Sequence, residues 1–64
     1  MTEFQKEVIR ALADNNMNVN RTGKQLYTHR NNIYYHTKKI CAETGKNPLC
    51  FRDLCELLQA VSQK

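Results

Sequence analysis

The chain has one proline and two glycines in 64 residues, with no Pro/Gly/Ser linker, internal repeat or low-complexity tract. Nothing marks an internal boundary, so residues 1–64 are expected to form a single domain. No alternating apolar run is bounded by turn residues on both sides, which leaves strands unsupported. The cysteines number three (Cys41, Cys50 and Cys55), with no Cys-x-x-Cys pair. An odd count without close pairs argues against a disulfide framework and fits free thiols in a reducing cytoplasm. The same spacing is poor for zinc, even with His29 and His36 added, because structural sites favour closer ligand pairs. No phosphate-binding glycine loop is present, and no carboxylate lies between Asp14 and Glu43 to orient a Cys–His pair. A chain this short does not build an enzyme cleft on top of its own core. No enzymatic activity, cofactor or metal is therefore expected. No apolar run approaches the roughly 20 residues that span a bilayer, and no charged-then-apolar leader opens the chain. A cytoplasmic protein without a membrane partner is the expectation.

The most informative absence is acidic. Between Asn15 and Ala42 there is no Asp or Glu, while Arg21, Lys24, Arg30, Lys38 and Lys39 all fall there. The first flanking segment is −1 and the last is neutral, so this stretch, at +5, carries the whole surplus behind the net charge of +4. A concentrated field of one sign suggests a polyanion.

What is present reads as helix. Phe4, Val8, Ala11 and Leu12 recur at helical spacing, predicting a first helix from about Thr2 to Asn15 with Thr2 as its cap. Asn18 is a cap candidate for a short second helix over about Val19 to Leu26. Tyr27-Thr28 is the predicted turn. Thr28 is expected to cap a third helix from about His29 to Thr44, stopped by Gly45. Asn47 and Pro48 read as the cap and first position of a last helix to about Ser62. Its apolar stripe is Cys50, Leu54, Leu57, Leu58 and Val61. The expected fold is all-α: a small bundle of about four helices.

The middle pair has the parts of a helix-turn-helix. Gly23 is the small residue that lets two helices meet closely. Val19, Leu26 and Ile33 are apolar clamps. His29, Arg30, Asn31 and Asn32 form a polar start to the second helix of the pair.

The run from Asn18 to Ile40 resembles the C-terminal DNA-binding domain of the PucR/CdaR regulators and is similar to the Fis-type helix-turn-helix. The resemblance rests on Asn18, Thr22, Leu26, His29, Arg30, Asn31, Ile33, Tyr35 and Ile40, and its specific core is His-Arg-Asn…Tyr. It covers about Phe4 to Val61. The chain departs from the family pattern at several positions. Gly23 stands where Ala is usual, which is expected to loosen the helix crossing. Asn32 replaces Thr. His36 and Thr37 replace Arg and an apolar residue, which removes a charge and thins the core. The resemblance implies a C-terminal output domain of a longer, metabolite-responsive regulator, with a sensor domain upstream and a homodimer on DNA.

Arg30 is the first choice for base readout, because its guanidinium fork matches guanine O6 and N7 in the major groove. His29 can donate to a base or a phosphate, or simply pack on Tyr27. Asn31 and Asn32 carry amides suited to adenine or to phosphate. The resemblance places Asn32 near the backbone. Tyr34 and Tyr35 point about 100° apart on a helix, as its 3.6-residue turn requires, so they are not both core. Tyr34 is favoured for contact and Tyr35 is kept as its partner. Asn20 and Lys38 complete the set, with Arg21, Lys24 and Lys39 as diffuse attractors. The reading is sequence-specific binding of double-stranded DNA, with the helix from about residue 29 to 44 in the major groove. The alternatives are a helical protein-interaction or dimerisation module with a basic face, and RNA binding through the tyrosines.

Overall fold

The computed structural model describes residues 1–62 and contains four helices: α1 (Glu3–Asp14), α2 (Val19–Gln25), α3 (Arg30–Thr44) and α4 (Phe51–Ser62). Among the described residues there is no strand. α1 is the hub, packing against the other three helices, while α2 packs closely on α3. The core is built from Val8, Ile9 and Leu12 of α1, Ile33 and Ile40 of α3, and Leu54, Leu57 and Val61 of α4. Ile9 is fully buried although it lies off the stripe read from the sequence. Because α1 is packed on several sides, its buried face is wider than a single stripe.

Helix α1 begins as expected and with more than the expected hold. Thr2 Oγ1 accepts the Gln5 amide, and Gln5 Oε1 accepts the Thr2 amide, each at 3.1 Å. This is a reciprocal capping box. Gln5 is 3% exposed. With its oxygen committed to Thr2, its Nε2 faces His36 Nδ1 at 3.4 Å and links α1 to α3. Phe4 adds an edge-on contact to the same imidazole, with ring centroids 4.9 Å apart. His36 is thus part of the α1–α3 seam. Thr37 is also accommodated: it is 3% exposed, and its hydroxyl donates to the Tyr34 carbonyl at 2.8 Å. Burying a hydroxyl there leaves no unpaired polar group.

Two helix starts differ from the sequence reading. The cap of α3 is His29, not Thr28: His29 has extended backbone (φ −76°, ψ 147°), and its Nδ1 accepts the Asn31 amide. Thr28 Oγ1 instead accepts from Asn32 Nδ2 at 3.1 Å. Helix α4 starts at Phe51 rather than Pro48. Asn47 Oδ1 accepts the Leu49 amide and the Asn47 carbonyl accepts the Cys50 amide, both at 2.9 Å, closing a separate turn. Pro48 is buried within this turn, and Cys50, expected in the apolar stripe, is exposed. Gly45 ends α3 in the left-handed conformation, φ 74°, as predicted.

The turn after α2 closes with a Schellman motif. The Thr28 amide donates to the Gly23 carbonyl at 2.8 Å and the Tyr27 amide to the Lys24 carbonyl at 3.2 Å. This puts Tyr27 at φ 56°, a conformation that costs an L-residue with a side chain about 1–2 kcal/mol. Tyr27 is 97% exposed, so packing offsets little of that cost. Tyr27→Gly is expected to raise stability by about 1 kcal/mol. Chemical denaturation followed by circular dichroism would measure it, and a destabilised variant would contradict this account of the turn.

Candidate nucleic-acid interface

The α2–turn–α3 unit brings the N-terminal ends of its two helices to one surface. Asn18 caps α2 by accepting the Arg21 amide at 3.0 Å. The next residue on that outer face, Asn20, is exposed, as are Arg30 and Asn31 at the start of α3. Asn18, Asn20, Arg30, Asn31 and Tyr34 line an open polar cleft of about 500 Å³. A neighbouring concavity of about 330 Å³ is lined by Asn20, Lys24, Thr28, His29 and Arg30. Arg30 and Asn20 line both hollows.

Gly23 sets this arrangement. A Cβ built there would lie 2.8 Å from the Thr28 carbonyl oxygen and 3.4 Å from the Arg30 amide nitrogen. The glycine does not loosen the crossing, contrary to the expectation from sequence. It lets the turn and the first residue of α3 close onto α2 more tightly than Ala would allow. The roughly 1 kcal/mol that a mid-helix glycine costs is tied to that approach. Val19 and Leu26 pack against the core as partly buried clamps, and Ile33 is fully buried.

The predicted site residues separate into groups. Arg30, Asn31, Tyr34 and Asn20 share the larger cleft, and His29 and Arg30 share the smaller one. Asn32 is exposed, but its amide nitrogen is held by Thr28, which leaves its oxygen as the freer end. Lys38 lies further along α3 beside Tyr34, lining an apolar groove with Thr37, Cys41, Asn47 and Leu49. Tyr34 and Tyr35 are both exposed and diverge. Tyr35 turns away from the cleft, 5.2 Å from the His36 ring and with Lys39 Nζ 5.5 Å over its own ring. His29 does not pack on Tyr27, whose side chain is almost entirely in solvent. Lys24, read only as a diffuse charge, takes a defined place in the smaller concavity. Its spacing of four from Asn20, which places both on one helix face, was the available signal.

Among the described residues, Arg21, Lys24, Arg30, Lys38 and Lys39 are all exposed and none is ion-paired. Their charge is therefore uncompensated by neighbours and faces solvent. The ion pairs that do form lie elsewhere, such as Lys46 with Glu56 at 3.1 Å. No helix among the described residues is long and apolar enough to cross a membrane. Leu12, Met17, Phe51, Leu54, Cys55 and Leu58 line an apolar groove of about 230 Å³ between α1 and α4.

No similar curated protein and no similar solved structure was found. The model of the PucR C-terminal helix-turn-helix domain matches residues 6–62, nearly the whole chain, from within α1 to the end of α4. The chain belongs to the PucR C-terminal helix-turn-helix domain family.

Proposed function

We propose that this domain binds duplex DNA sequence-specifically, as the output domain of a longer transcription regulator acting as a homodimer. The N-terminal half of α3 enters the major groove, and α2 lies across the backbone. The observation that carries the reading is that Arg30 lines both polar hollows, with Lys24 in one of them, and that neither cation is ion-paired among the described residues. Arg30 reads a guanine edge. Asn31 and Tyr34 lie beside it for base or phosphate contact, and Asn20 and Lys24 meet the backbone. Lys38 reaches phosphate further along the groove. Asn32, braced on Thr28, presents its oxygen, and Tyr35 with Lys39 lies at the margin. One copy makes few contacts, so a second copy is needed to reach useful affinity.

The test is titration of labelled duplex selected from a randomised library, at two salt concentrations, with wild type and Arg30→Ala. Affinity should fall steeply with salt, with a log–log slope of about −0.9 per phosphate contacted. Arg30→Ala should cost about 1–3 kcal/mol on the selected sequence and much less on unrelated duplex. Equal losses on both would make Arg30 a backbone contact, and no duplex binding at low salt would remove the reading altogether. One feature favours the alternative of a protein-interaction module: Phe51 is 70% exposed at the rim of the α1–α4 groove.

A further inference from the structure

The cap of α3 constrains what His29 can recognise. A backbone amide can only donate. His29 Nδ1, 3.0 Å from the Asn31 nitrogen, is therefore an unprotonated acceptor, and protonating it would set two donors face to face. A neutral imidazole with a free Nδ1 carries its proton on Nε2. The residue is exposed, borders the concavity shared with Asn20, Lys24, Thr28 and Arg30, and its side chain makes no other hydrogen bond among the described residues. One ring thus has two ends with opposite tasks. The inner nitrogen holds the first turn of α3, and the outer nitrogen is a lone donor aimed away from the helix.

We infer that His29 is a specificity-determining contact that engages DNA as a neutral imidazole of this one tautomer, with Nε2–H donating to a hydrogen-bond acceptor. The inference rests on the duplex-binding reading above. A donor-only outer end selects acceptors and rejects the amino groups of adenine and cytosine in the major groove. Its partner is a base-edge acceptor, because a phosphate oxygen would position the helix without reading sequence. Because the same ring caps α3, the donor is held against the helix frame and does not swing freely as a lysine would. It therefore discriminates by position as well as by chemistry.

The test compares wild type with His29→Ser on the duplex that the wild-type chain selects. Serine keeps a capping oxygen but is too short to place a donor where Nε2 stands. His29→Ser should melt close to wild type and lose affinity on the order of tenfold. A single base-pair substitution that costs wild type about as much, and the variant little, would identify a base acceptor. The same split at one methylphosphonate linkage, with no such base pair, would make the partner a phosphate oxygen and overturn the role in specificity. Nitrogen-15 spectra of the imidazole should show the neutral ring protonated at Nε2. Wild-type affinity in His29→Ser, or a proton on Nδ1, would overturn the inference and leave duplex binding intact. Failure of wild type to bind any duplex would instead overturn both.

Discussion

Ile33→Ala is expected to remove about 2–5 kcal/mol of folding stability. A domain of this length holds only roughly 3–10 kcal/mol in total, so the variant should be partly or largely unfolded near room temperature. Ile33 is completely buried and sits in the cluster that joins α3 to α1. Truncation removes the transfer energy of the lost carbons and leaves a cavity that rigid helices fill poorly. Duplex binding should fall in step with the folded fraction, because α3 has no other fully apolar anchor in its first two turns. Urea denaturation followed by helix content measures the loss. Tyr35→Ala, two residues on and exposed, is the control and should change stability by no more than about 0.5 kcal/mol. A loss below about 1 kcal/mol for Ile33→Ala would be out of range for a buried isoleucine and would refute its place in the core.

The second large effect is expected at Gly23. Gly23→Val should destabilise by about 1–3 kcal/mol, the usual cost of forcing extra atoms into a filled space. The gain in helix propensity over glycine is only a few tenths of a kcal/mol for a β-branched residue, too little to offset it. The obstruction is the Thr28 carbonyl, 2.8 Å from where the Cβ must go. It is backbone, so the turn has to move. His29 and Arg30 follow directly in the chain and would move with it. Affinity for duplex should therefore drop more than the loss of folded protein explains, measured by titration well below the melting transition. A variant as stable and as tight-binding as wild type would show that the turn has room that the structure does not give it.

Much of this architecture was legible in the residues. Asn18 and Thr2 as caps, Gly45 as a stop, and Val8, Leu12, Ile33, Ile40, Leu54, Leu57 and Val61 as core follow from local chemistry and helical spacing. The candidate surface was legible too, as an acid-free run with a polar helix start. The errors fell where local rules compete. Thr28 and His29 can both cap, and the cap is His29, whose backbone is extended and whose Nδ1 accepts the Asn31 amide. Asn47-Pro48 has the composition of a helix start, but Asn47 closes its own turn and Pro48 packs inward. Cys50 follows that turn into solvent.

By itself the sequence determined four helices, their approximate limits, the uncompensated charge and the polar start of α3, because each depends on neighbours within a turn or two. Tertiary structure alone decided three further things. Gly23 tightens the crossing because the approaching carbonyl belongs to a residue beyond the end of its own helix. His36 is a structural link because Gln5, held by its capping duty, presents a donor from another helix. Arg30 lines two hollows, sharing one with Tyr34 and neither with Tyr35, because the orientation of α3 over α2 chooses which outward side chains share a surface. Spacing along a chain places residues on a helix face, but only the packing of one helix on another decides what that face meets.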